Sequence, residues 1–164
     1  TPWLNGDRTP IDDSAARGGF HNVSLHTTRA HLLRAVYEGV AYNSRWLLGY
    51  VEKFVGRRLQ VIRLIGGGAR SAAWCQICAD VLNRPIAQVH DPVQSNARGA
   101  GLLAALALGY LNADEIADCV PITHTYEPNP HHRATYDRLF AEFVKLYQQN
   151  QRIYHRLNRH NNRL

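Results

Sequence analysis

No methionine occurs anywhere in the 164 residues, not even at position 1. That absence excludes an unprocessed translation product, so the expectation is that something upstream of Thr1 has been removed. Lysine is missing from the whole interval between Lys53 and Lys145. This rules out a Walker phosphate loop in the glycine-rich centre of the chain, because such a loop closes on Gly-Lys-Ser/Thr. Long apolar runs are missing too: Leu102 to Leu108 is the longest, far below the ~20 residues of a membrane span, and no charged-then-apolar leader opens the chain. No membrane partner is expected. Cysteine is scarce and odd in number, three in all, and Cys75 and Cys78 fall on one predicted helix. A secreted disulfide framework is thereby excluded, and a reducing, cytoplasmic location is expected.

The remaining composition, 45% hydrophobic and 20% charged, is ordinary for one soluble domain with a core. Net charge is +6, with much of the excess at the far end in Arg152, Arg156, Arg159 and Arg163 beside His155 and His160. No aromatic stacking surface or nucleic-acid motif accompanies it, so the basic end reads as a solvated helix terminus and no nucleic-acid partner is expected.

The most informative stretch is Gln60 to Asp80, QVIRLIGGGARSAAWCQICAD. Val61, Ile62, Leu64 and Ile65 form a short β-branched apolar run bounded by three glycines, as a buried strand would. Ser71 is a good helix N-cap, and Ala73, Trp74, Ile77, Val81 and Leu82 recur at helical spacing. Strand, glycine turn and helix in that order let a backbone approach a ligand without a Cβ in the way, and a helix start favours a phosphate. A tight turn with no ligand is the plainer alternative. A dinucleotide fingerprint is a weaker fit, since Gly66 and Gly68 are followed by Ser71 where the third glycine belongs, although Asp91 lies at the distance of a ribose-binding acid.

Elsewhere, Thr1 to Leu25 reads as loop, with Asp12 and Asp13 as a solvated acid pair. A long amphipathic helix is predicted from Thr27 or Thr28 to near Gly56, with Gly39 suggesting close approach of a neighbour. Pro85 to Val89 is a second strand, parallel to the first through the intervening helix, and His90-Asp91 ends it. Asn96 to Leu108, capped by Ser95, is almost entirely Ala, Leu and Gly and is expected to be a buried helix ending at Gly109. Asn112 to Asp118 reads as a short helix followed by loop through Pro130. The last helix starts near His131, with Tyr136, Leu139, Phe140, Phe143, Val144, Tyr147, Tyr154 and Leu157 as its apolar stripe. Cys75-Gln76-Ile77-Cys78 lacks the second ligand pair that zinc needs, and Cys75 lies too far inside its helix for thiol redox work. His131-His132 receives no function, and Trp74 is either core or the wall of a base pocket.

The segment GGGARSAAWCQICADVLNRPI, followed by NARGAGLLAALALG, resembles the carboxy-terminal half of the FGGY carbohydrate kinases. Gly6-Asp7-Arg8-Thr9-Pro10 and Ala16-Arg17-Gly18 are similar to the Gly-Glu-Arg-Thr-Pro and Ala-Arg-Gly of pentulose and hexulose kinases. The second family signature matches at Gly18, Phe20, Val23, His31, Leu32, Ala35, Val36, Tyr37 and Glu38. Asn22 stands where glycine is usual, a residue that tolerates the left-handed backbone. The resemblance runs from about Gly6 to Asn158.

It implies an α/β fold, a partial ribonuclease-H-like (actin-like ATPase) domain with parallel strands and covering helices over residues 1–158, and a basic tail at 159–164. It further implies that the family's opening strands, its sugar-binding half and its catalytic aspartate lie upstream, so no catalytic residue is expected here and no metal ligand is assigned. The parent would be a carbohydrate kinase using ATP and Mg²⁺ to phosphorylate a ketopentose or related sugar, with D-xylulose the first choice. ATP or ADP would meet Gly66, Gly67, Gly68, Ala69, Ser71 and Ala72, and the sugar would be bound through the upstream half. The isolated chain is expected to be inactive and to self-associate as a homo-oligomer through apolar surface left bare. A non-catalytic actin-fold dimerisation or interaction module is the alternative, and a dinucleotide-binding Rossmann fragment a third.

Overall fold

A computed structural model describes residues 1–158. The basic tail expected at 159–164 lies outside the described residues. Four α-helices, α1 (Arg29–Val55), α2 (Ala72–Leu82), α3 (Ser95–Ala107) and α4 (Arg133–Asn158), and three strands, β1 (Ile62–Leu64), β2 (Ile86–Val89) and β3 (Ile122–Tyr126), fall into two compact units. One comprises Thr1–Arg58, Asp80–Leu82 and the described residues from Asn129 onward; the other comprises Leu59–Ala79 and Asn83–Pro128.

In the first unit the limits of α1 follow from its caps. Thr28 Oγ1 accepts the His31 N–H while His31 Nδ1 accepts the Thr28 N–H, both at 3.3 Å, a reciprocal pairing that satisfies two orphan donors. Gly56 ends the helix at φ 69°, where glycine carries no Cβ penalty. The close approach expected at Gly39 is not found: a Cβ there would sit 3.8 Å from Pro2 Cδ, an ordinary contact that alanine could also make. Asn22 does take the left-handed backbone, at φ 59°.

The core of this unit is aromatic. Trp3 packs against Phe143 and Tyr147 with ring centroids 5.2 and 5.3 Å apart, and Tyr42 meets Phe143 at 5.5 Å. Trp3 Nε1 donates to Asn43 Oδ1 at 3.0 Å, so the indole is buried with its polar atom satisfied. Of the apolar stripe of α4, Tyr136, Phe143 and Tyr147 are buried, whereas Leu157 is exposed.

Asp13 corrects the expectation of a solvated acid pair. It is 5% exposed, accepts the Tyr147 hydroxyl at 2.9 Å and the Ala15 N–H at 2.8 Å, and lies 3.2 Å from His155 Nε2. Burial alone would raise its pKa. Those hydrogen bonds and the imidazole outweigh burial and hold the carboxyl below its ordinary value.

In the second unit the strand order is β1-β2-β3. β1 and β2 are parallel, with Ile62 opposite Ile86 and Leu64 opposite Gln88, as the helical crossover through α2 requires. β3 was not legible in the sequence. It runs antiparallel to β2, pairing Tyr126 with Ile86 and His124 with Gln88. Its residues Ile-Thr-His-Thr-Tyr are nearly all exposed, so no apolar run announced it; pairing with the buried β2 creates the strand. The short helix expected over 112–118 is a 3₁₀ turn, Ala113–Glu115, capped by Asn112.

The helix α3 overturns a second expectation. None of its residues is buried, and Leu103 is 66% exposed. Its Ala-rich composition reflects high helix propensity as readily as close packing, and among the described residues no element covers its outer face. Ser95 begins the helix instead of capping it, its hydroxyl donating to the Pro92 carbonyl at 2.8 Å. Among the described residues no helix is long and apolar enough to cross a membrane.

Candidate functional site

The glycine turn forms the link between β1 and α2. Gly66 takes φ 84°, a conformation open to glycine at little cost, and its N–H donates to the Pro92 carbonyl at 2.8 Å. A single 3₁₀ turn, Gly67–Arg70, follows. Ala69 N–H closes on Gly66 O at 3.1 Å and Ser71 N–H on Gly68 O at 3.0 Å. Ser71 then caps α2, its hydroxyl accepting the Trp74 N–H at 3.3 Å, as its residue type suggested.

The glycines differ in what requires them. A Cβ on Gly68 would lie 2.9 Å from Trp74 Nε1 and 3.1 Å from Cδ1, so any side chain there would have to displace the indole. A Cβ on Gly67 would meet nothing within 4 Å, and no left-handed backbone demands glycine there. The open side at Gly67 is therefore available for a ligand. Among the described residues the N–H groups of Gly67 and Gly68 have no acceptor. The first turn of α2 carries no acidic residue, which leaves its dipole unopposed for an anion. Arg70, exposed at the end of the turn, adds a cation.

Of the six residues singled out for nucleotide contact, Gly67, Gly68 and Ala72 are exposed, Gly66 and Ser71 are half-buried, and Ala69 is completely buried. Ala69 faces inward: its carbonyl accepts Gln88 Nε2 at 2.5 Å and Cys75 Sγ at 3.5 Å. Trp74, half-buried, walls the turn on the Gly68 side.

The other constellations resolve structurally. Cys75 and Cys78 are buried, and burial, followed by the neighbouring Cys75, pushes the Cys78 thiol up to about 12. Thiolate chemistry is suppressed there. His132, which the sequence left without a role, pairs through Nδ1 with Asp80 Oδ2 at 2.8 Å. Asp80 Oδ1 accepts the Asn129 N–H, also at 2.8 Å, so this buried acid ties down the entry to α4. His90 and Asp91 terminate β2 as expected; the His90 carbonyl accepts Arg98 at 2.7 Å. Gln88, a polar residue inside the otherwise apolar Ile-Ala-Gln-Val strand, was the sequence signal overlooked. A cavity of about 790 Å³ in the first unit, lined by Leu4, Phe20, Val36, Val40, Leu139 and Phe143 among others, contains none of the six nucleotide-contact residues.

Comparison with known proteins defines the class. The solved gluconate kinase of Lactobacillus acidophilus superposes with a TM-score of 0.85 at 30% identity, over 95% of this chain and 32% of that one. This is the α/β, actin-like ATPase fold of the sugar kinases. A xylulose kinase of Staphylococcus epidermidis is 31% identical over 155 residues, covering 93% of this chain and 31% of the relative. A glycerol kinase of Vibrio parahaemolyticus is 34% identical over 131 residues, covering 78% and 25%. Residues 1–108 match the model of the FGGY family of carbohydrate kinases, C-terminal domain. The chain belongs to that family, and it spans under a third of the length of these relatives.

Proposed function

We propose that this chain is the nucleotide-binding C-terminal portion of an ATP-dependent sugar kinase. The observation that carries the reading is the Gly67–Gly68 backbone: two N–H groups without an acceptor among the described residues, an open space where the Gly67 Cβ would be, and an acid-free helix start just beyond. Such a cradle fits the phosphates and ribose of ATP or ADP. Ser71 and Ala72, at the start of α2, would border the base. ATP supplies the phosphoryl group and Mg²⁺ neutralises its phosphates. No residue of this chain is assigned to the ion; in this proposal the phosphates and parts of the kinase beyond this chain carry it.

The sugar is assigned as a ketopentose, D-xylulose first. Support comes from Arg8-Thr9-Pro10 in the opening loop and from the xylulose kinase similar over 93% of the chain. Relatives named gluconate and glycerol kinase define the competing substrates. The catalytic aspartate is assigned to the part of the kinase beyond this chain, so the chain alone should phosphorylate no sugar.

Calorimetric titration with ADP, ATP and NAD tests the reading. Preference for adenine nucleotides supports it, and preference for NAD overturns it in favour of a dinucleotide fold. A second reading, an interaction module, is favoured by one observation: Leu33, Val36, Tyr37 and Val40 of α1 are exposed, more apolar surface than one helix usually shows to water. Sedimentation velocity tests the self-association that both readings expect, and a monomer at all concentrations would remove it.

A further inference from the structure

β2 is the central strand of its sheet, and three of its four residues are buried apolar ones. Gln88 is the exception. A primary amide at such a position requires partners for both ends, and it has them: Nε2 donates to the Ala69 carbonyl at 2.5 Å, and Oε1 accepts the Tyr126 hydroxyl at 3.4 Å. The β2–β3 register breaks between Gln88 and Val89, an irregularity of the kind that re-aims a side chain.

The target of this amide is the one turn residue that is wholly buried. Ala69 O takes Gln88 Nε2 from β2 and Cys75 Sγ from α2, filling both lone pairs. The Ala69 N–H is committed to Gly66 O. Ala69 is thus fixed on both sides, and the turn it closes back onto Gly66 contains the Gly67 and Gly68 N–H groups, which have no acceptor among the described residues. Tyr126, by donating to Oε1, sets which way the Gln88 amide is turned.

We propose that Gln88 is a positioning residue for nucleotide binding: it holds the Ala69 carbonyl inward and so presents the Gly67 and Gly68 N–H groups to the phosphates, with Tyr126 orienting its amide. This rests on the nucleotide reading given above, which it deepens. Gln88 touches no ligand itself.

The test uses the full chain and two readouts. In Gln88→Leu, the Gly67 and Gly68 amide resonances of the ligand-free protein should shift and the hydrogen exchange of the Ala69 and Ser71 amides, which close the turn, should quicken, while the amides of Ala79 and Val81 in α2 stay unchanged. The ADP dissociation constant should rise about three- to tenfold, the loss of one neutral hydrogen bond. Tyr126→Phe should produce the same pattern at smaller amplitude, and the double variant should be no worse than Gln88→Leu alone. Tyr126→Phe also serves as the working variant if Gln88→Leu fails to fold. Unchanged Gly67 and Gly68 amides, or unchanged ADP affinity beside a lowered melting temperature, would show a merely structural glutamine and overturn the proposal. A wild-type chain that binds no ADP would instead overturn the nucleotide reading, and the ligand-free amide comparison would still decide whether Gln88 orders the turn.

Discussion

The Tyr147 hydroxyl donates to the buried carboxylate of Asp13 at 2.9 Å, joining residues 134 positions apart. This bond fastens the opening loop to α4 with a buried charge at its centre. Removing the donor in Tyr147→Phe leaves a carboxylate oxygen short of a partner in a site closed to water. The expected cost is about 1–3 kcal/mol, read as a lowered urea midpoint with an unchanged slope.

The same pair gives stability a pH dependence at both ends. Asp13 titrates below its ordinary 3.8 in the fold, so its contribution is complete above that value and is lost as pH falls through the lowered one. Tyr147 is displaced upward from 10.0 to about 12, first by burial and then by the bond to Asp13. Its contribution is complete below the ordinary phenol range and disappears as pH rises towards the raised value. Urea midpoints measured from neutral pH into acid should fall, and Asp13→Asn should flatten that limb while lowering the neutral plateau.

The thiols should respond very unequally. Cys119 is exposed, while Cys75 and Cys78 are buried with raised pKa values caused chiefly by burial. A chromogenic disulfide reagent should modify Cys119 alone in the native chain and all three cysteines in denaturant. Rapid native reaction at Cys75 would contradict its complete burial.

What the sequence made legible follows from local chemistry. Thr28, Gly56 and Ser71 marked helix ends because capping is decided within a few residues, and the Val61–Ile65 run and the Pro85–Val89 strand revealed the parallel pair, although β1 is not the buried strand its apolar run suggested: none of its residues is buried, and Val61 and Ile65 beside it are exposed. The strand β3 was hidden because Thr123, His124 and Thr125 are exposed and owe their conformation to β2. The burial of α3 was misjudged because alanine serves a solvent-facing helix as well as a buried one. At the site, the glycines were visible from spacing alone, but the division of labour between Gly67 and Gly68 depends on Trp74, and the inward pull on Ala69 depends on Gln88. Both are contacts that no local pattern encodes.

That division of labour separates folding from binding. Gly68→Ala drives a Cβ into Trp74 and should destabilise the chain by about 1–3 kcal/mol. Gly67→Ala meets open space, so its melting temperature should stay close to that of the parent while ADP affinity falls by about tenfold, or 1.4 kcal/mol. Equal stability loss in the two variants would contradict the geometry of the turn.

Nucleotide binding at the glycine turn is tested most directly by an amide-resolved magnetic resonance titration of the chain with ADP, run beside one with NAD. ADP should produce saturable shifts at Gly67, Gly68, Ser71 and Ala72, and NAD should bind more weakly. Saturable shifts confined to residues outside the Gly66–Ala72 segment, or tighter binding of NAD, would contradict that reading.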